Sequence, residues 1–212
     1  MNRNLKKNII KKFFKYAIPS VISMWIFTIY TMVDGIFVAK GVGEEALAAI
    51  NISMPLINMA FGLSILFAIG ASTKVSFYKG KNDLKSANKT FTLSSFIVFI
   101  IGLLFTVIAL LNMDSLINIL GSTLETKNYV KEYLSILVLF FPLYMTSYHF
   151  EVLIKADGYP NKAVITMVVG ALVNIFLDYL FVLVFKWGIQ GAAIATGLSQ
   201  LMSFSVFLLT LS

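Results

Sequence analysis

The sequence predicts an all-α integral membrane protein, a bundle of six membrane-spanning helices. Three observations predict it. Hydrophobic residues make up 58% of the 212 positions and charged residues only 13%, with a mean hydropathy of +0.87, too few polar groups to cover a water-soluble globule. Six apolar stretches of about 20 residues or more follow one another, each able to cross roughly 30 Å of hydrocarbon at about 1.5 Å per residue. Lysine and arginine fall between those stretches in an alternating pattern, as in a chain that crosses a membrane repeatedly.

The first stretch, 16–39, is broken by Asp34 in "TIYTMVDGIFVAKG" and predicts a helix over 13–39 that also holds Pro19 and Tyr30. It exceeds the 7–15 apolar residues of a signal peptide, so it reads as a span. The second, 47–73, predicts a helix over 47–78, and the third, 90–113, a helix over 90–112. The fourth, 133–154, holds His149 and Glu151 and predicts a helix over 130–154. Next comes "KADGYP", where Gly158 and Pro160 signal a turn. The fifth stretch, 163–185, predicts a helix of the same range carrying Asn174 and Asp178; the sixth, 187–212, predicts a helix over 188–212 carrying Thr196 and the small residues of "GIQGAAIATG", which favour close helix packing.

Charge distribution sets the orientation. Arg3, Lys6, Lys7, Lys11, Lys12 and Lys15 precede the first span, Lys74, Lys79, Lys81, Lys85 and Lys89 surround the second loop, and Lys155 and Lys162 flank the fourth. Only Lys40, Lys127, Lys131 and Lys186 lie on the other side, among Glu44, Glu45, Asp114, Glu125 and Glu132. The positive-inside rule therefore places both ends of the chain in the cytoplasm. The net charge of +7 sits in these loops rather than along one soluble face, which argues against a nucleic-acid partner. With no cysteine, disulfides, thiolate metal sites and cysteine nucleophiles are excluded.

Topology in turn gives depth. Asp34 precedes Lys40 by about 9 Å of helix and Asp178 precedes Lys186 by about 12 Å, so both acids belong to the outer half of the membrane. Asn174 lies one turn below Asp178 on the same face. The sixth helix begins outside, which brings Thr196 into the same layer. An acid in hydrocarbon costs several kcal/mol unless something neutralises it. Two carboxylates, an amide and a hydroxyl together offer the oxygen ligands a hard cation takes, or a pair that shares a proton. Separately, Asn174 and Thr196 are also ordinary interhelical hydrogen-bonding residues. Glu151 and Lys155, spaced i,i+4, suit a structural pair at the inner end of the fourth helix, and His149 beside them reads as structural too.

The run from Pro19 through Tyr30 to Asp34 and Phe37-Val38, then "PLINMAFGLSILFAIGAST", "KADGYPNKA", "VNIFLDYLF" and "GIQGAAIATGLSQ", in this order and spacing, resembles the amino-terminal lobe of the multidrug and toxic compound extrusion (MATE) family. The resemblance covers nearly the whole chain. It implies a secondary antiporter in the cell membrane, not an enzyme and without a cofactor, exporting drug-like amphipathic or cationic small molecules in exchange for H⁺ or Na⁺. It also implies twelve helices in two six-helix lobes, of which this chain supplies one and lacks the carboxy-terminal lobe. Carried over residue by residue, the family's amino-lobe cation site falls on Asp34, Asn174, Asp178 and Thr196, with Pro19 as a helix-bend residue and Tyr30 as an accessory. A lipid-linked oligosaccharide flippase of similar architecture is one alternative, though the polar layer lacks the basic residues a phosphate would need. An intramembrane aspartyl protease is another, but "MVDGI" and "FLDYL" lack the Gly-x-Gly-Asp setting of such dyads.

Overall fold

The computed structural model describes residues 3–211, with the side chains of 10, 11 and 13–210. Arg3, Lys6, Lys7 and Lys12, on which the orientation partly rests, have side chains outside those described. Helix α1 runs Arg3–Gly41, α2 Glu44–Gly80 and α3 Leu84–Leu111; a short α4, Met113–Ile119, precedes α5, Lys127–Leu137. A 3₁₀ turn, Val138–Phe140, leads into α6, Phe141–Ala156. Helix α7, Pro160–Asp178, continues as a π-helical stretch, Tyr179–Val184, and α8 spans Gly188–Leu211. Six helical segments are long and apolar enough to cross a membrane, α5 with α6 forming the fourth and α7 with its π stretch the fifth. No strand occurs among the described residues.

Local chemistry sets the helix boundaries. Gly43, at φ 132°, separates α1 from α2, a conformation open to glycine and strained for other residues. Glu44 and Glu45 then complement the positive end of the α2 dipole. Asp83 caps α3 by accepting the Ser86 N–H at 3.0 Å, which holds its carboxyl below the usual range. The turn expected in "KADGYP" forms, with Gly158 at φ 98° and Pro160 opening α7.

Packing divides the spans into two groups: α2, α3 and α6 contact one another, α1 packs on α7, and α7 on α8. Contacts of α5 and α6 with α8 join the groups. The small residues of the sixth span fill this junction, with Ala192, Ala193 and Ala195 wholly buried and Gly197 set against the Phe140 ring. Large apolar side chains such as Trp25, Leu66, Phe96 and Leu111 point outward, as they should where the surrounding solvent is lipid.

Two expectations need correction. The fourth span is not one helix over 130–154; it breaks at Val138–Phe140, because Pro142 supplies no N–H to the helical ladder and its ring crowds the preceding turn. Helix α3 fits this break: the Thr106 hydroxyl donates to the Val138 carbonyl at 2.6 Å, and Gly102 lies against the Pro142 backbone. Helix α4 was not expected, since seven residues are too short to show in a span-length reading. Of the remaining spans, α1, α2, α3 and α7 begin before their expected starts, α1 and α3 by the most, because helices continue past the apolar core into their polar flanks, while α8 begins at the expected residue.

Candidate cation site

Asp34 lies on α1 between Tyr30 and Val38, on the face turned toward α7. Its exposure is 8%, against 0% for Asp178 and 1% for Asn174. The C-terminal end of α1 is held close to the π-helical stretch: a Cβ added to Gly41 would stand 2.6 Å from a Val182 methyl. That close approach brings the Asp34 and Asp178 carboxyls into direct interaction, with the Asn174 amide beside Asp178. Asp178 is the last α-helical residue before the widened π turns, an insertion often found where a helix presents a functional group.

None of these groups is satisfied by the protein. Asp34 Oδ1, both Asp178 oxygens and both polar atoms of Asn174 are buried without a hydrogen-bond partner. Two carboxylates can only accept, so the two acids cannot bond to each other unless a proton lies between them. Leaving both ionised and unpaired would cost several kcal/mol. A proton on one acid, or a monovalent cation held by both with the Asn174 carbonyl oxygen, removes that cost. No group of three or more His, Cys, Asp or Glu suited to a metal ion occurs among the described residues.

Of the expected site residues, the structure thus brings together Asp34, Asn174 and Asp178. Thr196 is half-buried on α8, its backbone carbonyl accepting the Ser199 hydroxyl at 2.8 Å, and no hydrogen bond joins its own hydroxyl to the Asp178 oxygens. Pro19 is buried in α1, which stays helical through it. Tyr30 is half-buried one helical turn before Asp34, within reach of the field of both acids. Tyr133 on α5, 3% exposed, shares that field and was not singled out from sequence. Its signal was available, since a phenol near the start of the fourth span falls at the same level as an acid near the end of the first or fifth.

Below the acids, α1, α2, α6, α7 and α8 enclose a cavity of about 530 Å³, whose lining includes Ser20, Tyr30, Tyr144, Glu151, Lys155 and Asn174. Glu151 and Lys155 form the expected i,i+4 ion pair, but inside this cavity rather than in water, with side chains 10% and 20% exposed. His149 points elsewhere, sharing a hydrogen bond of 3.0 Å with Ser94 on α3, in keeping with a structural role.

The MatE family model matches residues 19–180. Among curated relatives, the multidrug export protein MepA of Staphylococcus saprophyticus is 25% identical over 207 residues, covering 96% of this chain and 45% of the relative. MepA of Staphylococcus aureus strain MRSA252 is 26% identical over 204 residues, with the same two coverages. Among solved structures, an outward-facing multidrug resistance MATE family transporter of the MOP superfamily superposes with a TM-score of 0.87 at 28% identity, over 93% of this chain and 44% of that one. A MOP superfamily transporter from Pyrococcus furiosus, described as having a binding pocket of reversed polarity, gives the same TM-score and identity over 93% and 43%. The chain therefore spans about half the length of the curated relatives it matches.

Proposed function

The chain belongs to the MatE family, and from that premise we propose that it is the cation-binding, amino-terminal lobe of a secondary multidrug antiporter in the cell membrane. In this reading a second six-helix lobe completes the drug path, and inward movement of H⁺ or Na⁺ drives export of amphipathic or cationic compounds. Both ends of this chain lie in the cytoplasm. The observation that carries the reading is the buried Asp34–Asp178 pair on two different spans, with Asp34 Oδ1 and both Asp178 oxygens buried without donors. Such a pair has one stable state with a cation or proton and another without, and coupling needs two states that differ in how the helices pack. Asn174 lends an oxygen to a bound cation or an N–H to a bare Asp178. Asn is thus suited to both states, because its amide carries both an acceptor oxygen and N–H donors.

The relatives' names speak of multidrug export, and neither a flippase nor a protease reading gains support from them. Lys155, the one basic side chain lining the cavity, is neutralised by Glu151 and so offers no free site for a phosphate.

The test is drug-driven cation flux in liposomes, with this chain in its transport-competent form, joined to the second lobe, and with Na⁺ and pH gradients imposed separately. We expect drug movement to follow one gradient and to stop when that gradient is collapsed. Drug movement insensitive to both would overturn the antiporter reading.

A further inference from the structure

The wall of the cavity beneath the acids is mostly apolar, with side chains such as Phe27, Phe61 and Met167, but a line of polar groups runs through it. On α1, Ser20 and Ser23 rise toward Tyr30 and then Asp34, a climb of about 21 Å from Ser20 to Asp34 at the usual helical rise. On α6, Tyr144 and Tyr148 descend on one face to Glu151 and Lys155. Asn174 belongs to both places, lining the cavity and lying beside Asp178. Three polar groups here are buried and unpartnered: the Ser23 hydroxyl, the Ser147 hydroxyl and both ends of the Asn174 amide. Each residue is at most 3% exposed. Buried polar atoms without protein partners mark positions for ordered water, and about 530 Å³ has room for on the order of ten water molecules.

We infer that this cavity is a hydrated passage inside the lobe, along which the coupling cation moves between the Asp34–Asp178 pair and the inner membrane face, with Glu151 the last carboxylate it meets. The inference rests on the antiporter reading and adds a route and a residue to it. A cation leaving the acids toward the cytoplasm meets the Asn174 carbonyl oxygen, then water held by Ser23 and Ser147, then Glu151. Lys155 is a tethered cation on a flexible stem. It occupies Glu151 when the ion is elsewhere, and swings aside to the polar inner end when the ion arrives, so that the net charge near Glu151 stays balanced at each step. For a proton, the acid's O–H bond breaks as a water takes the proton, and successive waters hand it on until it binds a Glu151 oxygen; no other bond changes.

The experiment measures cation uptake into liposomes with the transporter containing this chain and its second lobe. It compares wild type with Glu151→Gln, Glu151→Asp, Ser147→Leu and Asp34→Asn. Cation-dependent thermal shifts of the same proteins report equilibrium binding at the acids. We expect Glu151→Gln and Ser147→Leu to slow uptake by about tenfold or more, while the half-saturating cation concentration for the thermal shift stays within about twofold of wild type. Glu151→Asp should restore most of the rate. A structural ion pair would instead lower melting temperature and leave the uptake rate per folded molecule unchanged. Wild-type uptake by Ser147→Leu and Glu151→Gln, with Asp34→Asn inactive, would overturn the passage and leave the antiporter reading standing. Undiminished uptake by Asp34→Asn would overturn the antiporter reading itself. Should Glu151→Gln fail to fold, Ser147→Leu, which plugs the cavity without altering charge, decides alone.

Discussion

Replacing Asp34 by Asn should make this protein more stable and abolish its response to the coupling cation. Asp178 is wholly buried and neither of its oxygens has a donor, and the side chain it interacts with across the helix interface is another acceptor, Asp34. Asparagine has nearly the same shape as aspartate and adds an N–H₂ group. Pointed at Asp178, it supplies a hydrogen bond to a charged acceptor, worth about 1.5–3 kcal/mol, and removes one of two adjacent buried charges. For a chain of this size that corresponds to a rise of roughly 3–12 °C in melting temperature. The wild type can gain a similar amount only by binding its cation, about 2.7 kcal/mol at a hundredfold excess over the dissociation constant. Melting curves in detergent should therefore place the variant above the wild type without the cation, and the two should converge as Na⁺ or acid is titrated in. The variant's own curve should stay flat. A variant that melts below wild type in the absence of cation, or that keeps the cation-dependent rise, would show that the acids are not the coupled site described here.

Asp178→Asn should likewise abolish cation-coupled efflux, and the double variant should be little worse than either single one, because the pair acts as a unit; additive partial losses in an efflux assay at equal membrane expression would mean two independent structural acids. Gly102→Ala should destabilise the protein by up to about 2 kcal/mol, since its Cβ would stand 2.6 Å from the Pro142 Cα and the overpacking of about 1–3 kcal/mol outweighs the gain of roughly 1 kcal/mol in helix propensity. Thermal unfolding measures it, and a rise in melting temperature would refute the tight fit of α3 on the broken fourth span. A reporter fused after Lys81 should read cytoplasmic and one after Gly121 extracytoplasmic, and reversed signals would overturn the orientation.

By itself the sequence determined the class of the protein, its number of spans and their order, because apolar length and lysine placement are properties of a chain read one segment at a time. It also singled out Asp34 and Asp178 as candidate site residues, since an acid in an apolar run stands out without reference to any neighbour. Asn174 followed from its i,i+4 spacing to Asp178, which helix geometry alone supplies. What only the tertiary structure decided is which of these groups meet. No hydrogen bond joins the Thr196 hydroxyl to Asp178, and sequence depth could not have decided this, because depth fixes height along a helix and not rotation about it. Tyr133 is buried on a span that breaks at Pro142, and the direction of a broken helix depends on what packs against the break, here Gly102 and Thr106. The cavity and the enclosed Glu151–Lys155 pair depend on five helices at once. An i,i+4 pair reads the same in sequence whether water or protein surrounds it; only the packing of neighbouring helices, α7 and α8 among them, against α6 removes it from water.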